Sequence, residues 1–228
     1  MPNIPFIDLH THQIIDQENV VSVLSHNLFD PLPQVDAPHF FSSGAHPWFI
    51  KPSMETDSLV TKLKKLSQEP RFLCIGEIGL DRLKGASLDV QTLWLENQIE
   101  YACTINSPAV ILHCVRAFDL FLAILKKSKY GGAFIFHDYS GNASITKALI
   151  NDPRVYFSLG NSIHRQNSSE HFFSLNLGKI FFETDDSDRN IKESYSTFSK
   201  RSGVDLNELK SAVGDNFSRL FTPISATN

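Results

Sequence analysis

The sequence has few cysteines, and their spacing fits neither a disulfide framework nor a metal site built from cysteines. Only three occur among 228 residues, Cys74, Cys103 and Cys114, and no two of them form a CxxC pair. An odd and scattered set excludes a disulfide framework. We therefore expect buried, reduced thiols in a cytoplasmic protein.

A long apolar run and an excess of basic residues are also lacking. No stretch approaches the roughly 20 apolar residues of a membrane helix, and the start of the sequence has no basic region followed by an apolar one. With a net charge of −4, a generally basic surface for nucleic acid is excluded. The positive charge needed to bind nucleic acid would then come from basic residues at the rim of a cleft or from bound cations. We expect neither membrane association nor an obligate protein partner.

Repeats, low-complexity tracts and linkers are absent as well, so residues 1–228 are predicted to form a single domain. Short apolar runs alternate with helical patterns, which is typical of parallel βα units. Eight runs predict strands, the number that closes a TIM-type (β/α)8 barrel. They are Phe6–His10, Val20–Leu24, Phe40–Gly44, Phe72–Gly76, Ala109–His113, Ala133–His137, Val155–Leu159 and Lys179–Glu183.

Helical spacing of apolar residues predicts the intervening helices. The predicted helices pass through Leu59 to Leu66, Gln91 to Ala102, Phe118 to Leu125, Ser144 to Ile150 and Leu206 to Val213. The gap after the first strand is short, and the gap after the second contains Pro31, Pro33 and Pro38. The predicted α/β barrel is therefore somewhat shortened, with reduced helices after its first two strands.

Polar residues of one chemical kind mark the ends of the predicted strands. His10 and His12 lie two apart at the end of the first strand, so both imidazoles can reach one ion. That pair alone is more typical of two histidines hydrogen-bonded at a strand end than of a metal site. Histidines and carboxylates recur, however, at the ends of four other strands, as Glu77, His113, His137 and Asp185. Because the strands of a βα barrel all end at one face, we expect these six residues to converge.

The six residues predict a metal centre with more ligands than one tetrahedral ion needs. Histidines with carboxylates suit Zn²⁺ or Mn²⁺, and Mg²⁺ with added waters. We therefore expect two divalent ions, with Glu77 placed to bridge them and to share a water that loses its proton near neutral pH. Asp185 is the candidate base that orients this water and accepts its proton. His26, His39, His164 and His171 match no ligand position and are predicted to be ordinary surface or loop residues.

Seven sequence strings, in order, resemble the signatures of the TatD-type metal-dependent hydrolases. They are FIDLHTH, GAHPW, CIGEIGLD, AVILHCVRAFD, FHDYSGN, FFETDD and NFSRLF, and they span Phe6 to Phe221. The resemblance implies a TIM-type barrel, two divalent ions and hydrolysis of phosphodiester bonds, commonly in DNA. It places one ion on His10, His12 and Asp185 and the second on His113 and His137, with Glu77 bridging.

The resemblance also implies two substrate contacts and includes some departures. His46 aligns with a histidine near the substrate phosphate, although a backbone-bonded loop histidine fits the sequence equally well. Arg116 resembles an arginine that clamps phosphate, but it follows His113 by three residues where the common spacing is two. A surface salt bridge is its alternative role. The common ETDSP string reads Glu183-Thr184-Asp185-Asp186-Ser187 here, so the loop that shapes the substrate pocket differs.

Three functions are consistent with these observations. The first is a two-metal phosphodiesterase, a deoxyribonuclease or an enzyme acting on a small phosphodiester. The second is a hydrolase of a cyclic amide, ester or lactone; such barrels often bridge their metals with a modified lysine, and no lysine lies between Phe72 and Leu83. The third is a barrel that has lost turnover and serves as a binding module.

Overall fold

The structure is a computed structural model that describes residues 4–54 and 56–221. Eight parallel strands form one sheet in which the spatial order equals the chain order. The strands are β1 (Phe6–Thr11), β2 (Val20–Asn27), β3 (Phe40–Gly44), β4 (Phe72–Asp81), β5 (Ala109–Val115), β6 (Ala133–Phe136), β7 (Val155–Leu159) and β8 (Ile180–Phe182). The predicted barrel and its eight strands are confirmed. The ends of the predicted single domain, residues 1–3 and 222–228, lie outside the described residues.

The barrel is joined between its first and last strands at the carboxyl end. Asp185, which follows β8, forms a parallel bridge with Thr11. Its backbone N–H donates to His10 O at 2.9 Å, and its carbonyl accepts from His12 N–H at 3.0 Å. Asp8 strengthens this seam, since its carboxylate accepts from both the backbone N–H and the hydroxyl of Thr184. Three predicted metal ligands therefore lie at the point where the barrel closes.

Six α-helices lie in the described residues. They are α1 (Asp57–Leu66), α2 (Leu88–Thr104), α3 (Phe118–Lys127), α4 (Ala143–Leu149), α5 (Ile191–Ser202) and α6 (Leu206–Phe221). Residues 12–19 and 28–39 contain no helix, as the shortened-barrel prediction requires. Three short 3₁₀ helices between β7 and β8 replace an α-helix there. None of the helices described is long and apolar enough to cross a membrane.

The sequence analysis missed α5, although the chain contains its boundary signals. Asn190 caps the first turn by accepting from Lys192 N–H, and Gly203 ends the helix in the left-handed conformation at φ 77°. The helix buries Ile191, Tyr195 and Phe198, spaced four and three residues apart. Its other positions are mostly polar, so the apolar stripe is narrow.

Two of the four histidines predicted to be ordinary surface or loop residues are buried. His26 lies inside β2, where its Nδ1 is 2.9 Å from Ser43 Oγ. His39 is buried beside the same strand and accepts the backbone N–H of Ser22. The prediction was therefore wrong for His26, which lies within a strand, whereas His39 is a loop residue as predicted but is buried.

The cysteine prediction was correct only in part. All three cysteines are free, but Cys74 alone is buried, while Cys103 is exposed on α2 and Cys114 is half-buried. Cys103 lies in the last turn of a helix whose buried stripe passes through other positions, so its thiol points away from the core.

Candidate metal centre

Irregularities in two strands direct the candidate ligands into the barrel mouth. The pairing of β4 with β5 shifts between Ile75 and Ile78, and the intervening Gly76 has φ +150°. A Cβ at Gly76 would lie 2.7 Å from the Cβ of Ile111, so only glycine fits. This bulge carries Glu77. The pairing of β1 with β2 shifts similarly between Asp8 and Thr11, around His10.

The six predicted ligands converge, with the buried carboxylate of Glu77 at their centre. Its Oε1 lies 2.7 Å from His113 Nδ1 and 2.8 Å from His137 Nε2. Its Oε2 lies 3.4 Å from His10 Nε2 and 3.9 Å from His12 Nε2. Asp185 Oδ1 lies 3.5 and 3.4 Å from the same two nitrogens. Each oxygen of Glu77 therefore faces a different pair of these imidazoles.

His10 shows that the cluster fits a cation. Its side chain is fully buried, and neither ring nitrogen has a hydrogen-bond partner. Burial and His137 act to lower its pKa, but the carboxylates of Asp185 and Glu77 outweigh them and raise it to about 9. A buried polar group without a partner is costly unless something else compensates it. A divalent ion held by imidazole and carboxylate groups would do so.

Electrostatics keep the central carboxylates ionised. Burial acts to raise the pKa of Glu77, yet His137 and the hydrogen bonds from neighbouring imidazoles hold it well below its usual range. Asp185 follows the same pattern, since contacts with His10 and His12 outweigh burial and lower its pKa. Both groups are therefore anionic at neutral pH, as metal ligands must be.

Hydrogen bonds to the far nitrogens of His113 and His137 prepare both rings as ligands. His113 Nε2 lies 3.4 Å from Asp81 Oδ2, and His137 Nδ1 lies 3.3 Å from Glu183 Oε1. A carboxylate accepts only, so it holds the hydrogen on the nitrogen that faces it. Glu77 faces the other nitrogen of each ring, His113 Nδ1 and His137 Nε2, and these two would carry the lone pairs once a bound cation displaced their hydrogens.

His46 belongs to this cluster in space, but its far ring nitrogen accepts a backbone hydrogen bond, whereas those of His113 and His137 face carboxylates. Its Nε2 lies 3.0 Å from Glu77 Oε1, and its side chain is buried. The backbone N–H of Trp48 donates to its Nδ1 at 3.2 Å. Burial lowers the pKa of His46, so the ring is neutral and its single hydrogen lies on Nε2. Nε2 is therefore a donor, which is the property needed to bind a phosphate oxygen rather than a cation.

Arg116 is not brought to this cluster. It follows β5 in the left-handed conformation at φ 53°, is exposed, and lies outside the lining of the cavity above the centre. Its backbone carbonyl accepts from Arg82, whose guanidinium forms a bidentate pair with Asp119. A phosphate clamp at position 116 would need a different side-chain position from the one observed.

The sequence analysis missed two carboxylates that position the ligands, Asp81 and Glu183. Besides its contact with His113, Asp81 accepts from Trp48 Nε1 at 2.6 Å. Glu183 accepts the backbone N–H of Asp138 at 2.6 Å and is buried. Both were visible as the acids of the GLD and ETD strings, each within four residues of a predicted ligand. A histidine ligand needs an oriented partner, and that requirement was the available signal.

A cavity of about 360 Å³ opens above the cluster at the carboxyl ends of the strands. Glu77, His113 and His137 line its floor. Trp48 and Phe49 line one wall, and exposed Asp30 and Asp186 line its outer part. The volume is at the lower end of the roughly 300–1,000 Å³ that ligand pockets occupy.

Comparison with known proteins agrees with this architecture. Two solved structures align with 96% of this chain and 98% of their own. One is a TatD homologue from Escherichia coli, with a TM-score of 0.80 and 20% identity. The other is a TatD family hydrolase from Entamoeba histolytica, with a TM-score of 0.79 and 14% identity. At these identities they show the fold.

Sequence relatives match over shorter segments. A protein named deoxyribonuclease Tat-D from Schizosaccharomyces pombe is 28% identical over 157 residues, which is 62% of this chain and 49% of that protein. A 3'-5' ssDNA/RNA exonuclease TatD from Erwinia billingiae is 36% identical over 85 residues, 37% of this chain and 31% of that protein. The matched segments thus span about half of the first relative and a third of the second.

The family model described as TatD related DNase matches residues 32–222, most of the chain. This match covers β3 to α6 and therefore includes Glu77, His113, His137 and Asp185. Together with the barrel, it shows that the chain belongs to the TatD related DNase family.

Proposed function

We propose that the protein is a divalent-metal-dependent hydrolase that cleaves phosphodiester bonds in nucleic acid, with DNA as the expected substrate. The observation that carries the proposal is the position of Glu77, whose two oxygens face two separate sets of imidazoles. Family membership and the nuclease names of the matched relatives support the substrate class.

The donor set divides into two binding positions. His10, His12 and Asp185 would hold one cation, and His113 with His137 the second, while Glu77 would contribute one oxygen to each. Bound divalent cations supply Lewis-acid polarisation of a phosphoryl oxygen and lower the pKa of a bound water. Imidazole and carboxylate ligands fit Zn²⁺ or Mn²⁺, and Mg²⁺ if waters complete the shell.

Asp185 would accept the proton of the attacking water. Its carboxylate has a lowered pKa and is therefore unprotonated at neutral pH. It lines the cavity, and its side chain is 17% exposed, so solvent reaches it. A group that both contacts the ligand cluster and opens to the cavity can take a proton without moving.

His46 would bind the substrate phosphate. Its neutral ring directs the Nε2 hydrogen towards the cluster and lines the same cavity as Asp185. A donor at this position orients the phosphoryl oxygens and stabilises the charge that develops on them. Arg116, the other substrate contact that the sequence indicated, has an exposed side chain in this structure and would have to reorient to take part.

The direct test is cleavage of labelled single- and double-stranded oligonucleotides by the metal-loaded protein. We expect EDTA to abolish cleavage and Mn²⁺ or Zn²⁺ to restore it. Asp185→Asn should lower kcat by at least 100-fold, in the range of a lost general base. Asp188→Asn, an exposed substitution three residues further along the same loop, is the matched control and should keep full activity.

Persistent cleavage in EDTA, or wild-type turnover by Asp185→Asn, would contradict the proposal. A parallel panel of lactones and cyclic amides separates it from the second function considered above. Turnover of that panel without phosphodiester cleavage would replace a nuclease by an amide or ester hydrolase on the same barrel. Purified protein without stoichiometric metal and without any turnover would instead indicate a binding module.

A further inference from the structure

Two consecutive aromatic side chains stand at the wall of the catalytic cavity and have no part in the chemistry proposed so far. Trp48 is 40% exposed and Phe49 is 50% exposed, and both line the cavity. Single exposed apolar residues are common on protein surfaces. Two adjacent aromatic residues beside a polar ligand cluster require a more specific explanation.

Trp48 is held firmly and does not offer a free platform. Its indole N–H donates to Asp81 Oδ2 at 2.6 Å, and its ring lies edge-on to His113 at 5.5 Å. The ammonium of Lys84 lies 3.5 Å from its ring centroid, in cation–π geometry. The indole therefore supports the ligands and binds Lys84.

Phe49 is fixed in its backbone but open in its side chain. Its N–H donates to His46 O at 3.0 Å, which closes a turn with Pro47 at the second position. The next residue, Ile50, is buried in the core and anchors the end of that turn. The Phe49 ring lies 5.7 Å from the ring of His46, and half of its surface remains exposed. A rigid turn thus presents an aromatic surface next to the proposed phosphate donor.

The charges around the cavity determine which part of a nucleotide can bind at this wall. Asp30 and Asp186 are exposed in its outer part, and no lysine or arginine of the described chain is among the residues that line it. A phosphate is therefore disfavoured beside Asp30 and Asp186, and the ammonium of Lys84, which is close to this wall, lies over the Trp48 ring. The exposed ring of Phe49 suits a neutral, flat group, and nucleobases stack on aromatic side chains in a sequence-tolerant way.

We propose that Phe49 is a substrate-binding residue that stacks on the base of the terminal nucleotide whose phosphate reaches the Glu77 cluster. A cavity of about 360 Å³ has room for one compact unit, and the acidic outer part disfavours a chain that continues through it. The terminal nucleotide fills the cavity, its phosphate lies on the floor and its base lies on Phe49. This inference rests on the proposed function and names how that site holds its substrate.

The test compares single-stranded oligonucleotides that carry either a base or a stable abasic residue at the terminal nucleotide of the cleaved end. We expect Phe49→Ala to lower kcat/KM about 5- to 100-fold on the substrate with the base, which is the range of one lost stacking contact. On the terminally abasic substrate we expect Phe49→Ala and the wild type to differ by less than twofold. Phe49→Trp should restore cleavage of the substrate with the base.

Leu83→Ala is the matched control, because Leu83 is 64% exposed at the same barrel face but lies outside the cavity lining. It should leave both substrates unaffected. Metal content and melting temperature of Phe49→Ala should equal those of the wild type, which separates stacking from a structural role.

An equal loss on both substrates, no loss on either, or a loss that follows an abasic residue at the penultimate nucleotide would each overturn the inference while leaving the proposed nuclease in place. Failure of the wild type to cleave any oligonucleotide would remove the proposed function, and the stacking role with it.

Discussion

The hydrogen-bond partner of each imidazole decides whether that side chain can bind a cation. In this barrel mouth the five histidines beside Glu77 share a residue type and lie within 3.9 Å of its carboxylate. They differ at the other ring nitrogen. His113 and His137 face carboxylates there, whereas the Nδ1 of His46 accepts a backbone N–H. Distance from Glu77 alone would therefore wrongly add His46 to the proposed metal ligands.

This difference predicts separate outcomes for two alanine substitutions. His113→Ala should remove a ligand and lower metal affinity by at least 10-fold. His46→Ala should leave metal content unchanged and lower kcat on a phosphodiester by about 10²- to 10³-fold, as expected for one lost donor to a developing negative charge. Elemental analysis of both proteins beside kinetics measures the difference. Loss of metal from His46→Ala would make His46 a ligand and contradict the assigned tautomer.

At the residue scale the sequence predicted which ligands meet but not how they are oriented. Strand ends identified the six residues from His10 to Asp185, because their convergence follows from barrel topology alone. The tautomers depend on Asp81, Glu183 and the N–H of Trp48, which reach the rings through local turns. Such contacts depend on the exact backbone geometry of these turns, which cannot be read from the spacing of residue types in the sequence.

At the element scale, a buried hydroxyl group of α5, that of Tyr195, forms hydrogen bonds with the backbone of β1. Tyr195 Oη accepts from Ile7 N–H and donates to Ile7 O, both at 3.1 Å, and the side chain is fully buried. Its ring also packs edge-on against Phe6 at 5.0 Å. The helix thus supplies hydrogen bonds that β1 lacks on the side where it faces β8.

Tyr195→Phe should therefore lower the free energy of unfolding by about 1–3 kcal/mol, since it leaves two buried backbone groups without a partner. Tyr101→Phe is the control, because its hydroxyl makes only a 3.3 Å contact with Ser67 and should cost less. Urea unfolding followed by tryptophan fluorescence measures both. Equal losses for the two variants would show that the Tyr195 hydrogen bonds contribute nothing specific.

Arg154 joins three carbonyls at the C-terminal end of α3 to the start of β7. Its guanidinium donates to Leu125 O, Ser128 O and Tyr130 O, and Asp152 holds the guanidinium in place with two oxygens. The hydrogen bonds from Arg154 lower the pKa of Asp152 below its usual value. This network fixes the α3–β6 connection.

A lowered pKa predicts the direction of the pH effect. Because the folded state holds the Asp152 proton more weakly than the unfolded state, the contribution is complete above the unfolded pKa of about 3.9 and is lost as pH falls through the folded value. Asp152→Asn should therefore be less stable than wild type at pH 7, and the difference should shrink below about pH 4. Urea titrations from pH 7 to pH 3 check this, with the exposed Asp188→Asn as control. A difference that grows on acidification would contradict the assignment.

Elements were predictable from the sequence in proportion to how much apolar surface they bury. All eight strands were found because each is an apolar run, and β3 and β7 agree to the residue. The helix α5 was missed because one narrow stripe carries its packing and polar residues fill the rest. The 3₁₀ turns between β7 and β8 have no periodicity that a sequence pattern could show.

At the scale of the whole molecule, the ligand cluster and the closure of the barrel are one structure. The strand ends that carry His10, His12 and Asp185 are also the segments whose backbone bonds join β1 to the chain after β8. A cation bound to these side chains would tie the first and last strands together. Metal binding should therefore stabilise the entire barrel in addition to enabling chemistry.

The size of this stabilisation by metal binding can be estimated from ligand linkage. A cation present at 100 times its dissociation constant adds about 2.7 kcal/mol to the free energy of unfolding if the unfolded chain does not bind it. For a domain of this size that corresponds to a rise in melting temperature of roughly 5–10 °C. Calorimetry of chelator-treated protein with and without added Mn²⁺ or Zn²⁺ should show this rise, and Asp185→Asn should show a smaller one. Asp188→Asn should match the wild type, because its side chain is exposed on the same loop and is not among the proposed ligands. If the wild type melts at one temperature with and without cation, the seam at Thr11 and Asp185 holds the barrel closed by its backbone bonds alone.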